Sequence, residues 1–173
     1  WPVSAWKTYT QYGPNDTGYY LDDELGKHFI EKVRNTGVKR VCVHKGLPFL
    51  QYKDNLKYSS SRDVGPAAVA NPDITFMIYH SGYDMRVPEG EYSRDSGSGV
   101  DDLINSLMDS DIAPGTASNV YAEIGSTWRY LMRDPDQAAH VMGKLLKYVG
   151  EDRVLWGTDS IWYGSPQDQI MAF

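Results

Sequence analysis

Cysteine is nearly missing from this chain: Cys42 is the only one in 173 residues. That excludes an internal disulfide framework and a cysteine-built zinc cluster. Cys42 lies in an apolar run and reads as a small buried residue; such usage fits a reducing compartment, so a cytoplasmic location is expected. Basic residues are also scarce. Seventeen Lys and Arg stand against 23 Asp and Glu, a net charge of −6. No basic patch is available for nucleic acid or an anionic membrane, and neither is expected as a partner. No apolar run approaches the roughly 20 residues of a membrane span. No glycine-rich phosphate loop follows a strand, because His44-Lys45-Gly46-Leu47-Pro48 and His80-Ser81-Gly82-Tyr83-Asp84 match neither nucleotide-binding pattern. The chain has no initiator methionine and closes in the first turns of a helix after Pro166. Both ends therefore read as truncations, with 1–173 as the C-terminal part of one larger domain.

What is present is an alternation of short buried strands and amphipathic helices. Strands are expected at Ala5–Tyr9, Lys39–His44, Ile74–His80, Asn119–Gly125 and Arg153–Thr158, each a nearly continuous apolar run. Such runs suit parallel strands covered on both faces. Helices are expected at Asp22–Asn35, Asp63–Ala70, Val100–Ser110 and Pro135–Val149, with acidic or Asp-Pro starts and Gly37 and Gly150 just past two of the ends. The alternation implies a parallel α/β domain. Its two long loops, Gly46–Arg62 and Ser81–Gly99, both follow a strand and precede a helix. They lie at the carboxyl ends of strands, where barrels and open α/β sheets build their sites.

A polar residue stands at or near each of those ends: Lys7, His44, His80, Glu123 and Asp159. Each is about one strand-plus-helix unit from the next, so the fold would draw them to one rim. Side-chain alternation pairs Cys42 with His44, Phe76 and Ile78 with His80, and Leu155 and Gly157 with Asp159. If those faces share the interior, two imidazoles, a carboxylate and an amine meet in one pocket, a donor set suited to zinc first and to manganese or iron as alternatives. His28 and His140 sit on helices and read as surface residues, and Asp22-Asp23-Glu24 reads as a helix start.

At Val43-His44-Lys45-Gly46, Tyr79-His80-Ser81-Gly82, Asn119–Gly125 and Asp152–Asp159 the sequence resembles the amidohydrolase superfamily, specifically the amidohydrolase-related (type 2) family. The Trp156-Gly157-Thr158-Asp159 ending is the most specific element. The resemblance implies a partial TIM (β/α)8 barrel, with the five strands as its fourth to eighth. It implies His44 as a metal ligand, His80 as a second ligand or a water-orienting acid/base group, and Asp159 as metal ligand and proton acceptor. Lys7 matches the strand that carries a carboxylated bridging lysine in some members; a substrate-binding or merely flanking role stays open. The family's His-x-His pair has no counterpart in this chain.

The implied function is metal-dependent hydrolysis of a small carbonyl-like molecule. Lys45, Arg62, Tyr83, Trp128 and Trp162 are candidate substrate contacts. Two other readings stand beside it: a metal-dependent, non-oxidative decarboxylase of an aromatic acid, and a non-catalytic α/β module. Five strands cannot close an eight-stranded barrel of ordinary tilt. The isolated chain is therefore expected to be inactive, and insoluble or paired edge to edge with a second copy.

Overall fold

The computed structural model describes residues 2–173. In chain order the elements are β1 (Trp6–Tyr9), α1 (Glu24–Asn35), β2 (Arg40–His44), α2 (Val64–Ala70), β3 (Thr75–Tyr79), α3 (Gly99–Asp109), β4 (Val120–Glu123), α4 (Thr127–Leu131), α5 (Pro135–Lys144), β5 (Val154–Leu155), α6 (Ser160–Tyr163) and α7 (Gln167–Ala172). The strands form one parallel sheet in the order β1-β2-β3-β4-β5, with helices in every crossover. This is an α/β domain in which consecutive strands are neighbours, and β1 and β5 are its two edges. Among the described residues no helix is long and apolar enough to cross a membrane.

Local chemistry sets the helix boundaries. Asp23 caps α1 by accepting the Gly26 N–H, and Asp134 caps α5 by accepting the Gln137 N–H ahead of Pro135. Gly37, at φ +79, turns the chain out of α1. The helix α3 takes its cap from a distance: Glu89, in the long loop before it, accepts the Val100 N–H at 2.9 Å. Lys144 on α5 then joins Glu89 and Asp101 in a buried trio, at 2.5 and 2.7 Å. The loop 81–99 is thus pinned to two helices. The helix expected over Pro135–Val149 breaks in two, α5 giving way to a π turn at Leu145–Val149.

The strand register divides the sheet into two faces. Val41, Val43, Phe76, Ile78, Val120 and Ala122 pair across neighbouring strands, and all are fully buried under the helices. They pack with Ile30, Val33, Val64, Leu103, Ile104, Leu107, Val141 and Leu145 in the main core. Each such side chain contributes about 1.5–3 kcal/mol when buried. The opposite face carries Lys7, Tyr9, Cys42, His44, Met77, Tyr79, Tyr121, Glu123 and Leu155. Most of that face is only half-buried.

This register corrects one sequence expectation. Phe76 and Ile78 lie on the helix side with Val43, not on the face of His44. Alternation alone would therefore carry His80 away from the mouth. It reaches the mouth because the strand stops at Tyr79 and His80 takes φ +69, followed by Ser81 at φ +54. The last strand is also shorter than expected, with ladder pairing only at Val154 and Leu155.

Candidate active site

The carboxyl ends of the strands open into a cavity of about 450 Å³ lined by Lys7, Tyr9, His44, Phe49, His80, Ser126, Tyr130, Asp159, Trp162 and Tyr163 among others. The fold thus brings together Lys7, His44, His80, Asp159 and Trp162. The other sequence candidates stand elsewhere. Lys45 is fully buried, with its ammonium 2.8 Å from Asp63. Arg62 lies over the Tyr20 ring at 3.7 Å, Tyr83 is buried beside Tyr130, and the Trp128 indole donates to the Gln169 carbonyl. None of these four lines the cavity. A basic or aromatic residue near a strand end turns inward or outward according to its loop, which spacing does not encode.

The two histidines are held from outside. His44 stacks on Phe49 with its Nε2 3.2 Å from the Leu47 carbonyl, and His80 places Nδ1 2.5 Å from the Gly125 carbonyl. A carbonyl only accepts, so these outer nitrogens carry the ring protons. The inner nitrogens, His44 Nδ1 and His80 Nε2, face each other 3.1 Å apart, a separation that a shared proton or a cation would bridge. Burial, followed by the neighbouring His80, holds the His44 imidazole down to about 3. Burial also lowers His80, opposed by the Gly125 carbonyl and Asp159.

The rest of the rim is acidic and tightly bonded. Asp159, at φ +51, follows the last strand and accepts the Ser126 hydroxyl at 2.6 Å on Oδ2, 3.9 Å from His80 Nδ1. Glu123 accepts the Gly125 N–H at 2.7 Å, and burial pushes its carboxyl up to about 7. Lys7 rests over the Tyr79 ring at 3.2 Å. Burial lowers its ammonium to about 8, against the opposing pull of Cys42, Asp159 and Glu123. Gly157 closes on Glu123 so tightly that a Cβ there would lie 1.9 Å from Oε1. A methyl group there would have to displace the Glu123 carboxylate from its bond to the Gly125 N–H.

Left-handed backbone at non-glycine residues gathers at this rim: Leu47, His80, Ser81, Ser126 and Asp159 all have positive φ. Such conformations cost on the order of 1–3 kcal/mol each and cluster at functional sites. Ser126, Tyr130, Tyr163, Tyr9 and Phe49 belong to the cavity although the sequence reading did not select them. Only Tyr163 carried a usable signal, standing one helical turn after Asp159.

The histidine pair suits a divalent cation. Two ligands of a tetrahedral zinc lie about 3.3 Å apart, near the observed separation, and metal-binding imidazoles usually donate their second N–H to a carbonyl or carboxylate. Among the described residues no group of three His, Cys, Asp or Glu side chains is drawn together as a ready cation site. The pair is the part that fits. No family model, curated protein or solved structure matches the chain.

Proposed function

We propose that this rim is part of the active site of a metal-dependent hydrolase of the amidohydrolase type, built on strands four to eight of a (β/α)8 barrel. The observation that carries the reading is the approach of His44 Nδ1 and His80 Nε2 to 3.1 Å, with each ring's other nitrogen at a backbone carbonyl. Two acceptors repel unless a cation or a proton lies between them. His44 and His80 would hold the cation, zinc by preference, with Asp159 as a further ligand from the last strand. A divalent cation there supplies Lewis acidity, bringing the ionisation of water close to neutral pH and polarising a carbonyl.

The chain's own residues do the rest. Asp159 takes a proton from the attacking water on its carboxylate. The Gly125 and Leu47 carbonyls fix both imidazoles by bonding their outer N–H groups. Tyr9, Phe49 and Trp162 make the cavity wall largely aromatic, which favours a substrate with a flat apolar part. Lys7, at the same wall, offers a cation to an anionic group on that substrate.

Metal analysis by mass spectrometry after zinc loading tests the reading. About one zinc per chain is expected, falling severalfold in His44→Ala and Asp159→Asn. Full zinc in both variants overturns the site. In a protein that carries the complete barrel, a panel of amides, esters, lactones and aromatic acids then reads the chemistry, with a hydrolysis product expected. Carbon dioxide without a hydrolysis product points instead to decarboxylation, and a chain that binds no zinc points to a non-catalytic module.

A further inference from the structure

Ser126 occupies the most unusual backbone position at the rim. Its φ of 58 and ψ of −42 belong to a γ-turn of the rare, strained kind, closed by the Thr127 N–H donating to the Gly125 carbonyl at 2.7 Å. The side chain is buried, with a relative exposure of 2%. The turn aims two groups at the site: the Gly125 carbonyl at His80 Nδ1, and the Ser126 hydroxyl at Asp159 Oδ2. Ser126 Oγ also lies 3.0 Å from the Tyr163 hydroxyl. A serine has one proton and a carboxylate only accepts. The serine proton therefore goes to Asp159, and Tyr163 must donate to Ser126. Tyr163 itself follows Asp159 by one turn, lines the cavity, and lies under the Arg129 guanidinium at 4.3 Å.

We propose that Asp159, Ser126 and Tyr163 form a hydroxyl relay that returns the proton taken from water to the leaving group, with Tyr163 as the catalytic residue that delivers it. The proposal rests on the hydrolytic reading above. Once Asp159 holds the proton from water, the two hydroxyls turn round, so that Asp159 donates to Ser126 and Ser126 to Tyr163. Tyr163 then gives its phenolic proton to the departing oxygen or nitrogen as the bond to the substrate carbon breaks and that bond's electron pair goes with the leaving group. The tyrosine oxygen takes the Ser126 proton, and Ser126 takes the proton held by Asp159. Each hydroxyl loses one proton and gains one, and Asp159 ends as the carboxylate it began as. The strained turn at Ser126 is maintained because a relaxed turn would aim neither group.

The test compares Ser126→Gly and Tyr163→Phe with the zinc-loaded wild type, all three in the protein that carries the complete barrel. Glycine accepts the positive φ without strain, so this variant removes the hydroxyl and leaves the turn intact. Two esters of one acid are used, one with a para-nitrophenyl leaving group that departs unaided and one with an alkyl leaving group that needs a proton. General acid catalysis is worth about 100-fold or more. Both variants are expected to lose at least about tenfold more kcat on the alkyl ester than on the nitrophenyl ester, at unchanged zinc content. Equal losses on the two esters, or none, overturn the relay.

Proton NMR of the metal-free protein gives a readout apart from turnover. A slowly exchanging Ser126 hydroxyl resonance is expected, absent in Ser126→Gly and displaced in Tyr163→Phe. A wild type that holds zinc and cleaves neither ester overturns the hydrolytic reading. The hydrogen-bonded chain is then judged by that resonance, and free exchange with water overturns it.

Discussion

His44 Nδ1 and His80 Nε2 face each other across 3.1 Å, each ring fixed through its other nitrogen by a backbone carbonyl. The folded chain holds this pair together by packing and by strained backbone at His80 and Leu47, and a cation between the rings would be bound by both. The first prediction follows directly from that arrangement.

Zinc should raise the stability of the wild type and leave the variant lacking one ring almost unmoved. At a free zinc concentration 100 times its Kd, a ligand that binds only the folded state stabilises it by about 2.7 kcal/mol. Melting curves with and without zinc check this in wild type and His80→Ala. Equal shifts in the two proteins would mean that zinc binds elsewhere.

Lys45 and Asp63 are both fully buried and meet at 2.8 Å, with Asp63 also accepting the Leu21 N–H. Removing one partner of such a pair leaves a buried charge, at a cost of about 3–5 kcal/mol. Lys45→Met is therefore expected to lower the denaturant midpoint strongly while zinc bound per folded molecule holds. A stability loss below about 1 kcal/mol would show that the pair is not sealed from water.

Gly157→Ala places a methyl group 1.9 Å from Glu123 Oε1. Overpacking of this kind costs about 1–3 kcal/mol. In a Glu123→Ala background the obstruction is gone, so the double variant should be more stable than the two single losses predict. Strict additivity in that double-mutant cycle would mean that Gly157 is needed for some reason other than Glu123.

Asp102 on α3 accepts from the Ser60 hydroxyl and the Ser61 N–H. Burial raises its carboxyl above the usual value of 3.8, partly countered by those two bonds. The folded state therefore holds this proton more tightly than the unfolded chain does. Below 3.8 both states are protonated and the group is neutral to stability. As pH rises from there through the raised folded value, ionisation increasingly favours unfolding. Asp102→Asn lacks that term, so its stability relative to wild type should grow over this window and then level off. Urea unfolding of both proteins from pH 3 to pH 8 measures it, and a constant difference would refute the burial argument.

Much of the architecture was legible in the sequence because it follows from local pattern. The apolar run Arg40–His44 and the Asp23 and Asp134 caps announce their elements without help from the rest of the chain. Lys45 shows where that legibility stops. Its place beside His44 suggested a substrate contact, but a single step along the chain turns a side chain from the mouth to a buried carboxylate. Ser126 was invisible for a different reason: nothing about a serine after a glycine reports a γ-turn, which exists only because α4 and the rim hold it there.

The sequence by itself determined a parallel α/β domain and nominated His44, His80 and Asp159, since hydrophobic period and strand-end position are local properties. The tertiary structure decided how those residues meet. By alternation His80 belongs on the helix side with Phe76 and Ile78; the left-handed turn after Tyr79 swings it to His44. A conformation that unfavourable at a non-glycine residue persists only where surrounding contacts outweigh it, here the Gly125 carbonyl bonded to Nδ1 and the Thr127 hydroxyl bonded to the His80 carbonyl. Those contacts join residues more than 40 positions apart, so no local reading of the chain could contain them.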